Sequence, residues 1–169
     1  MITDPGEVPP YWGFYMGDPE SKRRRYCLMC HVFKPERCHH CSTCNRCVLN
    51  MDHHCPWINN CVGFHNRKYF LLLLMYVIIS TYMITFGCLS TIHELILHIW
   101  QTRKINELKD LLIISSYTFN CLLAVVLSLF IRFHLTLVSR NSTTIENMDK
   151  TPLNQRRVYD RGFKRNWLQ

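Results

Sequence analysis

The feature that most constrains this chain is the absence of charge over two long runs. Residues 69–92 hold no Asp, Glu, Lys or Arg across 24 positions, and residues 111–131 hold none across 21. A helix needs about 20 apolar residues to cross the hydrocarbon core of a bilayer. Neither run is amphipathic, as a core-facing helix of a soluble domain would be. Tyr69, directly after Arg67 and Lys68, gives the aromatic and basic flank that a membrane–water boundary favours. The second run opens after Asp110 and ends its neutral stretch at Arg132. Leu135, Leu137 and Val138 continue the helix, with Arg132 reaching up to the headgroups. The pattern predicts transmembrane helices at 69–92 and 111–139, joined by a loop at 93–110.

The distribution of basic residues predicts the orientation. Lys and Arg number 20 against 12 acids, a net charge of +8. Nine of them fall in residues 1–68, seven in 140–169, and three in 93–110, where three acids offset them. The positive-inside rule then puts both ends in the cytosol and the loop in a lumen or outside the cell. Residues 1–25 hold four of the seven Pro and read as extended and irregular. No secretory leader is read there, since no basic region precedes an apolar stretch. The cluster Lys22-Arg23-Arg24-Arg25 suits either a solvated charge run or contact with anionic lipid or another acidic ligand. Asn141-Ser142-Thr143 has the form of a glycosylation sequon, but it faces the cytosol in this topology and reads as a chance match.

Between the basic cluster and the first apolar run lies a segment with neither a helical nor a strand-like apolar period. Residues 26–66 hold eight of the ten Cys and six of the nine His. The tight Cys-x2-Cys spacings suit metal better than disulfides, as does a reducing cytosol. The candidates are Cys27, Cys30, Cys38, His39, His40, Cys41, Cys44, Cys47, His53, His54, Cys55 and Cys61. Six Cys and two His would fill two closed tetrahedral zinc sites, and metal would replace a hydrophobic core. Spacing alone does not pair the ligands. It also leaves a surplus, which includes the run Asp52-His53-His54-Cys55. There Cys55 reads equally as one more ligand beside a solvated acid, or as a nucleophile with His53 and Asp52 as base and orienting acid.

The string C-x2-C-x9-H-C-x2-C-x2-C-x4-D-H-H-C-x5-C-x4-N-x3-F runs from Cys27 to Phe70 without a gap. It resembles the DHHC family of protein S-acyltransferases. Asp4-Pro5-Gly6 resembles that family's DPG motif, Thr143-Thr144-Ile145-Glu146 its TTxE motif, and Tyr159 through Trp167 its C-terminal segment, with Asn166 as the key polar residue. The resemblance implies an interleaved ligand set: Cys27, Cys30, His40 and Cys47 on one zinc, and Cys41, Cys44, His54 and Cys61 on the other. It implies Cys55 as the acyl carrier, His53 as its base and Asp52 as the group that orients His53. It leaves Cys38 and His39 as non-ligands, with Cys38 a side site of acylation or a surrogate ligand. Thr144 is expected within reach of Asp52, unless Thr143–Glu146 only cap a helix. Asn66 is expected to brace the head. Trp57 would meet the proximal acyl chain, and Arg67 and Lys68 the phosphates of coenzyme A.

The fold class expected is thus an all-α membrane protein carrying a zinc-stapled, loop- and hairpin-rich cysteine-rich domain on the cytosolic side. The family usually has four membrane helices, of which this chain would hold the last two. Its divisions are expected at 1–25, 26–68, 69–92, 93–110, 111–139 and 140–169. Two structural zinc ions, long-chain acyl-CoA such as palmitoyl-CoA, cysteine-bearing protein substrates and membrane lipid are the implied cofactors and partners. The implied location is an endomembrane (Golgi or ER) or the plasma membrane. A membrane-anchored zinc interaction module or RING-like ligase is the rival, but it has no use for a thiol beside Asp-His. A nucleic-acid role is not expected, because two apolar spans leave little surface for a duplex.

Overall fold

The Cys/His stretch folds as three antiparallel hairpins. In this computed structural model, which describes residues 2–9, 12, 25–102, 108–149 and 158–168, β1 (Tyr26–Cys27) pairs with β2 (Val32–Phe33). β3 (His39–Cys41) pairs with β4 (Arg46–Val48), and β5 (His53–Cys55) with β6 (Asn60–Val62). The registers set His40 opposite Cys47 and His54 opposite Cys61. His31 (φ 55°) and Asn45 (φ 50°) follow the second Cys of the two Cys-x2-Cys turns, and Asn59 (φ 46°) precedes β6. Asn and His are among the few non-glycine residues that tolerate this left-handed backbone.

Strands of two or three residues do not stand alone, and what surrounds them is mostly sulfur. One buried cluster is Val8, Cys27, Cys38 and Cys47; the other is Cys41, Val48, Met51 and Cys61. The Asp4-Pro5-Gly6 segment closes the packing. Asp4 accepts from the Gly6 amide at 2.7 Å and pairs with Arg46 at 2.6 Å. Gly6 sits at φ 111°, and its carbonyl accepts from the Leu49 amide at 3.0 Å.

Among the described residues, the α-helices are α1 (Arg67–Gly87), α2 (Leu89–Thr102), α3 (Leu108–Ser139), α4 (Thr144–Met148) and α5 (Phe163–Trp167). Two compact units result, one of residues 1–71 with 135–169, the other of residues 72–134. In the second unit, polar side chains join α1 to α3: Asn120 donates to the Thr81 carbonyl at 3.1 Å and to Thr85 Oγ1 at 2.9 Å. Such bonds are the usual glue between apolar helices. α1 and α3 are both long and apolar enough to cross a membrane, and only 17% of the most apolar window of each is buried. At 21 and 32 residues, they measure about 31 and 48 Å.

Two boundaries depart from the sequence reading. The first apolar helix ends at Gly87 and not at 92, and residues 93–102, expected within a loop, are helical. Ile92, Leu95, Ile96, Ile99 and Trp100 recur at helical spacing, an amphipathic pattern that a search for uncharged runs passes over. The head also adds six short strands to an otherwise helical chain. Most of the basic cluster (Lys22, Arg23 and Arg24) and residues 103–107 and 150–157 lie outside the described residues.

Gly63 is a steric test of this packing. A Cβ there would lie 2.7 Å from the Pro5 carbonyl oxygen and from Val48 Cγ1, and 2.9 Å from the Leu49 carbonyl oxygen. Two of these neighbours are backbone, so Gly63→Ala should destabilise the head by about 1–3 kcal/mol. A lowered thermal midpoint of the metal-loaded chain would register it.

Candidate functional site

Side chains alternate faces along a strand. In β3, His40 and Cys41 are neighbours and so point to opposite sides. His40 joins Cys27, Cys30 and Cys47, while Cys41 joins Cys44, His54 and Cys61. Within each group the ligand atoms all lie within 4.8 Å of one another. His40 Nδ1 is 3.6 Å from Cys27 Sγ, 3.2 Å from Cys30 Sγ and 4.0 Å from Cys47 Sγ. His54 Nδ1 is 3.7, 3.4 and 3.7 Å from the sulfurs of Cys41, Cys44 and Cys61. A tetrahedral zinc with ordinary bond lengths sets S and N about 3.6 Å apart, and two sulfurs about 3.8 Å apart. The Cys44–Cys61 separation is 3.5 Å. Both donor sets therefore fit a tetrahedral ion of zinc's size, and they are the two sets that the resemblance implied.

Cys38 belongs to neither group. It is buried beside Cys27 and Cys47, and burial pushes its thiol up to about 11. At 5% exposure it is not presented at the surface as a side site of acylation would be.

The same alternation governs β5. His54 turns to its metal cluster, so His53 and Cys55 share the opposite face. Cys55 is 6% exposed. Asp52, fully buried just before the strand, accepts from His53 Nδ1 through Oδ2 at 2.8 Å. The edge of the buried Phe70 ring meets the imidazole, with centroids 5.2 Å apart. Burial alone would raise the Asp52 carboxyl. The His53 hydrogen bond, the Arg67 charge and two hydrogen bonds from Thr144 outweigh it and hold the carboxyl at about 2. Asp52 is therefore a carboxylate at neutral pH. In the neutral imidazole the proton then sits on Nδ1, and Nε2 carries the lone pair.

Thr144 reaches Asp52 as expected: its hydroxyl donates to Oδ2 at 2.7 Å and its amide to Oδ1 at 3.0 Å. The capping reading holds as well, because the two roles use different atoms. Thr143 caps α4 and Glu146 closes a capping box. The Glu146 carboxylate is gripped by Arg37, Nε to Oε1 at 2.6 Å and Nη2 to Oε2 at 2.8 Å. Arg37 also donates to the Asn141 carbonyl at 2.9 Å and lies over the Tyr159 ring at 4.4 Å. The Asn141 amide donates to the Tyr159 carbonyl at 2.8 Å, so the apparent sequon is packed structure. The sequence reading missed Arg37, and no local motif signals a contact made 109 positions away.

Arg67 departs from its expected role. It was read as a ligand of coenzyme A phosphate, but its side chain is only 14% exposed. It faces inward, 3.4 Å from Asp52 Oδ1, and donates to the Ser142 carbonyl at 2.7 Å. A guanidinium committed to a buried carboxylate and a carbonyl is not available to a phosphate in solvent. Lys68 is exposed. Trp57, on the 3₁₀ turn Pro56–Ile58 directly after Cys55, is 96% exposed. Asn66 braces the head, accepting from the Gly63 amide and donating to the Cys61 carbonyl, both at 2.8 Å. Asn166 is buried and ties α5 to the Ser139 carbonyl at 2.8 Å.

A sequence model of the DHHC palmitoyltransferase family matches residues 20–151. The chain belongs to the DHHC palmitoyltransferase family. It is 37% identical over its whole length to the Arabidopsis thaliana protein named probable protein S-acyltransferase 14, of which it covers 61%. It is 36% identical, over 78% of its length, to palmitoyltransferase PFA3 of Eremothecium gossypii, covering 40% of that protein. It is 40% identical, over 72% of its length, to palmitoyltransferase ZDHHC15 of Rattus norvegicus, covering 35%. The chain thus spans between about a third and three-fifths of these relatives.

The alternation in β5 makes the two adjacent histidines of this DHHC domain separable. His54→Ala should lower bound zinc from two ions per chain to one and loosen the head. His53→Ala should leave the zinc content unchanged. Metal analysis of the two purified variants decides it, and the reverse result would mean that the two faces of β5 are exchanged.

Proposed function

We propose that this chain carries out protein S-acylation through a thioester on Cys55. The observation that carries the reading is the pair His53–Asp52, 2.8 Å apart and backed by an ionised carboxylate, on the strand face that also bears Cys55. A free cysteine is only a few per cent thiolate at neutral pH, and an oriented imidazole supplies the missing base. His53 Nε2 takes the Cys55 proton as sulfur attacks the carbonyl carbon of a long-chain acyl-CoA. The carbon–sulfur bond to coenzyme A breaks, and its thiolate leaves with the proton returned by His53. The acyl chain then rests on Cys55. In the second step a substrate cysteine loses its proton to His53 and attacks the same carbonyl, releasing Cys55 with its proton restored.

Cys27, Cys30, His40 and Cys47, and Cys41, Cys44, His54 and Cys61, would each hold a zinc ion, which would supply folding free energy to the hairpins on which His53 and Cys55 sit. Trp57 offers an exposed indole beside Cys55, suited to the first carbons of the acyl chain. Lys68 is left as the basic residue for coenzyme A phosphate. α1 and α3 cross the membrane, with the head and tail on the cytosolic side as the basic residues require. The protein would then work at the surface of an endomembrane or the plasma membrane, on cysteine-bearing protein substrates.

A membrane-anchored ligase built on the same zinc framework would form no hydroxylamine-labile bond to a fatty acid. Incubation with labelled palmitoyl-CoA should label the wild type, and Cys55→Ser should lose the label while keeping two zinc. Loss of one zinc in Cys55→Ser would instead make Cys55 a ligand. His53→Ala should slow single-turnover acylation about 100- to 10,000-fold. Asp52→Asn should add little to that loss, because the two residues act as one unit.

A further inference from the structure

Arg67 is a largely enclosed cation whose charge helps keep Asp52 ionised but which has no part in the acyl-transfer steps described so far. Its backbone is fixed on both sides. Asn66, before it, is anchored to the Gly63 amide and the Cys61 carbonyl, and the Arg67 amide itself donates to the Gly63 carbonyl at 3.1 Å. From that point the side chain turns inward. Nη2 donates to the Ser142 carbonyl at 2.7 Å and lies 3.4 Å from Asp52 Oδ1. Nε is buried with no hydrogen-bond partner among the described residues. The pose brings Nη2 to both Asp52 and Ser142.

We propose that Arg67 is a positioning residue for acyl transfer, holding the Asp52 carboxylate and the Thr144 backbone in the one arrangement that orients His53. The inference rests on the reading of Cys55 as the acyl carrier. Asp52 meets His53 and Thr144 Oγ1 through Oδ2, and the Thr144 amide through Oδ1. Arg67 approaches the same Oδ1 and also grips Ser142, two residues before Thr144. One guanidinium therefore braces the acid and the segment that delivers the acid's other donors. Arg37, the neighbouring cation, cannot stand in, because Glu146 engages it from both oxygens. A carboxylate that loses one brace can shift, and the imidazole that donates to it shifts with it. Small misplacements of this kind cost about a hundredfold in rate.

The test uses the zinc-loaded full chain in lipid nanodiscs, with palmitoyl-CoA as the acyl donor. Arg67→Leu should lower the limiting rate of Cys55 acylation about 10- to 100-fold. The palmitoyl-CoA concentration giving half that rate should not change, and two zinc should remain. Arg67→Lys, which keeps the charge, should recover most of the rate. In an Asp52→Asn background, Arg67→Leu should add little further loss. A raised half-saturating concentration at an unchanged limiting rate would overturn the proposal and return Arg67 to coenzyme A phosphate. So would losses that add, a lysine variant no better than leucine, or loss of zinc, each of which marks a packing role only. Alkylation of Cys55 by iodoacetamide, mapped by mass spectrometry, should rank wild type above Arg67→Lys above Arg67→Leu. A wild type that takes no palmitate but keeps this ranking defeats the acyl-transfer reading alone. A wild type that takes palmitate, with neither rate dependent on Arg67, defeats the positioning role alone.

Discussion

Everything in the head depends on the pleat of two three-residue strands. A strand presents successive side chains to opposite faces, so a run such as His39-His40-Cys41 or His53-His54-Cys55 is divided between two environments without any bend in the chain. In β3 the division sends adjacent ligands to different clusters, which makes the two donor sets interleave. In β5 it separates one donor from the imidazole and thiol on the other side. Cross-strand pairing completes the arrangement, because partners in register share a face: His40 with Cys47, and His54 with Cys61. Hairpins this short bury too little carbon to hold their own register. A tetrahedral ion held by both partners of a rung would supply the constraint that packing does not.

The second organising group is Asp52. It is fully buried and ionised, and a buried charge persists only when it is paired and hydrogen-bonded. Its partners include His53 beside it, Arg67 at the start of α1, and Thr144 at the start of α4. Arg37 and Glu146 make a second ion pair between the head and α4. The acid that orients the imidazole is thus also a joint between the hairpins and the C-terminal segment, so local chemistry and long-range packing share the same atoms.

Much of this was legible in the sequence, and the parts that were not have physical causes. The two apolar runs and the Cys-x2-Cys turns are local patterns, and they led to the two long helices and to a metal-binding head, whereas the division of its ligands into two sets came only from the family resemblance. The amphipathic α2 was lost because Glu94 interrupts the charge-free run, while its apolar residues keep helical spacing. Arg67 was misread because a basic residue beside a membrane helix is ordinarily a headgroup flank. Nothing local says that it turns toward Ser142, 75 positions away. Arg37 went unnoticed for the same reason. Thr144 was placed correctly because its motif carried the expectation, and its capping geometry proved compatible with the contact to Asp52.

The bond between Thr144 and Asp52 spans 92 positions, and this has a consequence in time. A chain made from its N-terminus at 5–20 residues per second exposes Asp52 about 5–20 s before Thr144 exists to meet it. During that interval the hairpin that carries His53 and Cys55 on one face is already complete. The carboxylate still lacks the hydroxyl and amide that fix it, and the carbonyl of Ser142 is not there to hold Arg67 in place. The segment that carries Thr144 therefore reaches Asp52 only after both apolar helices have been made.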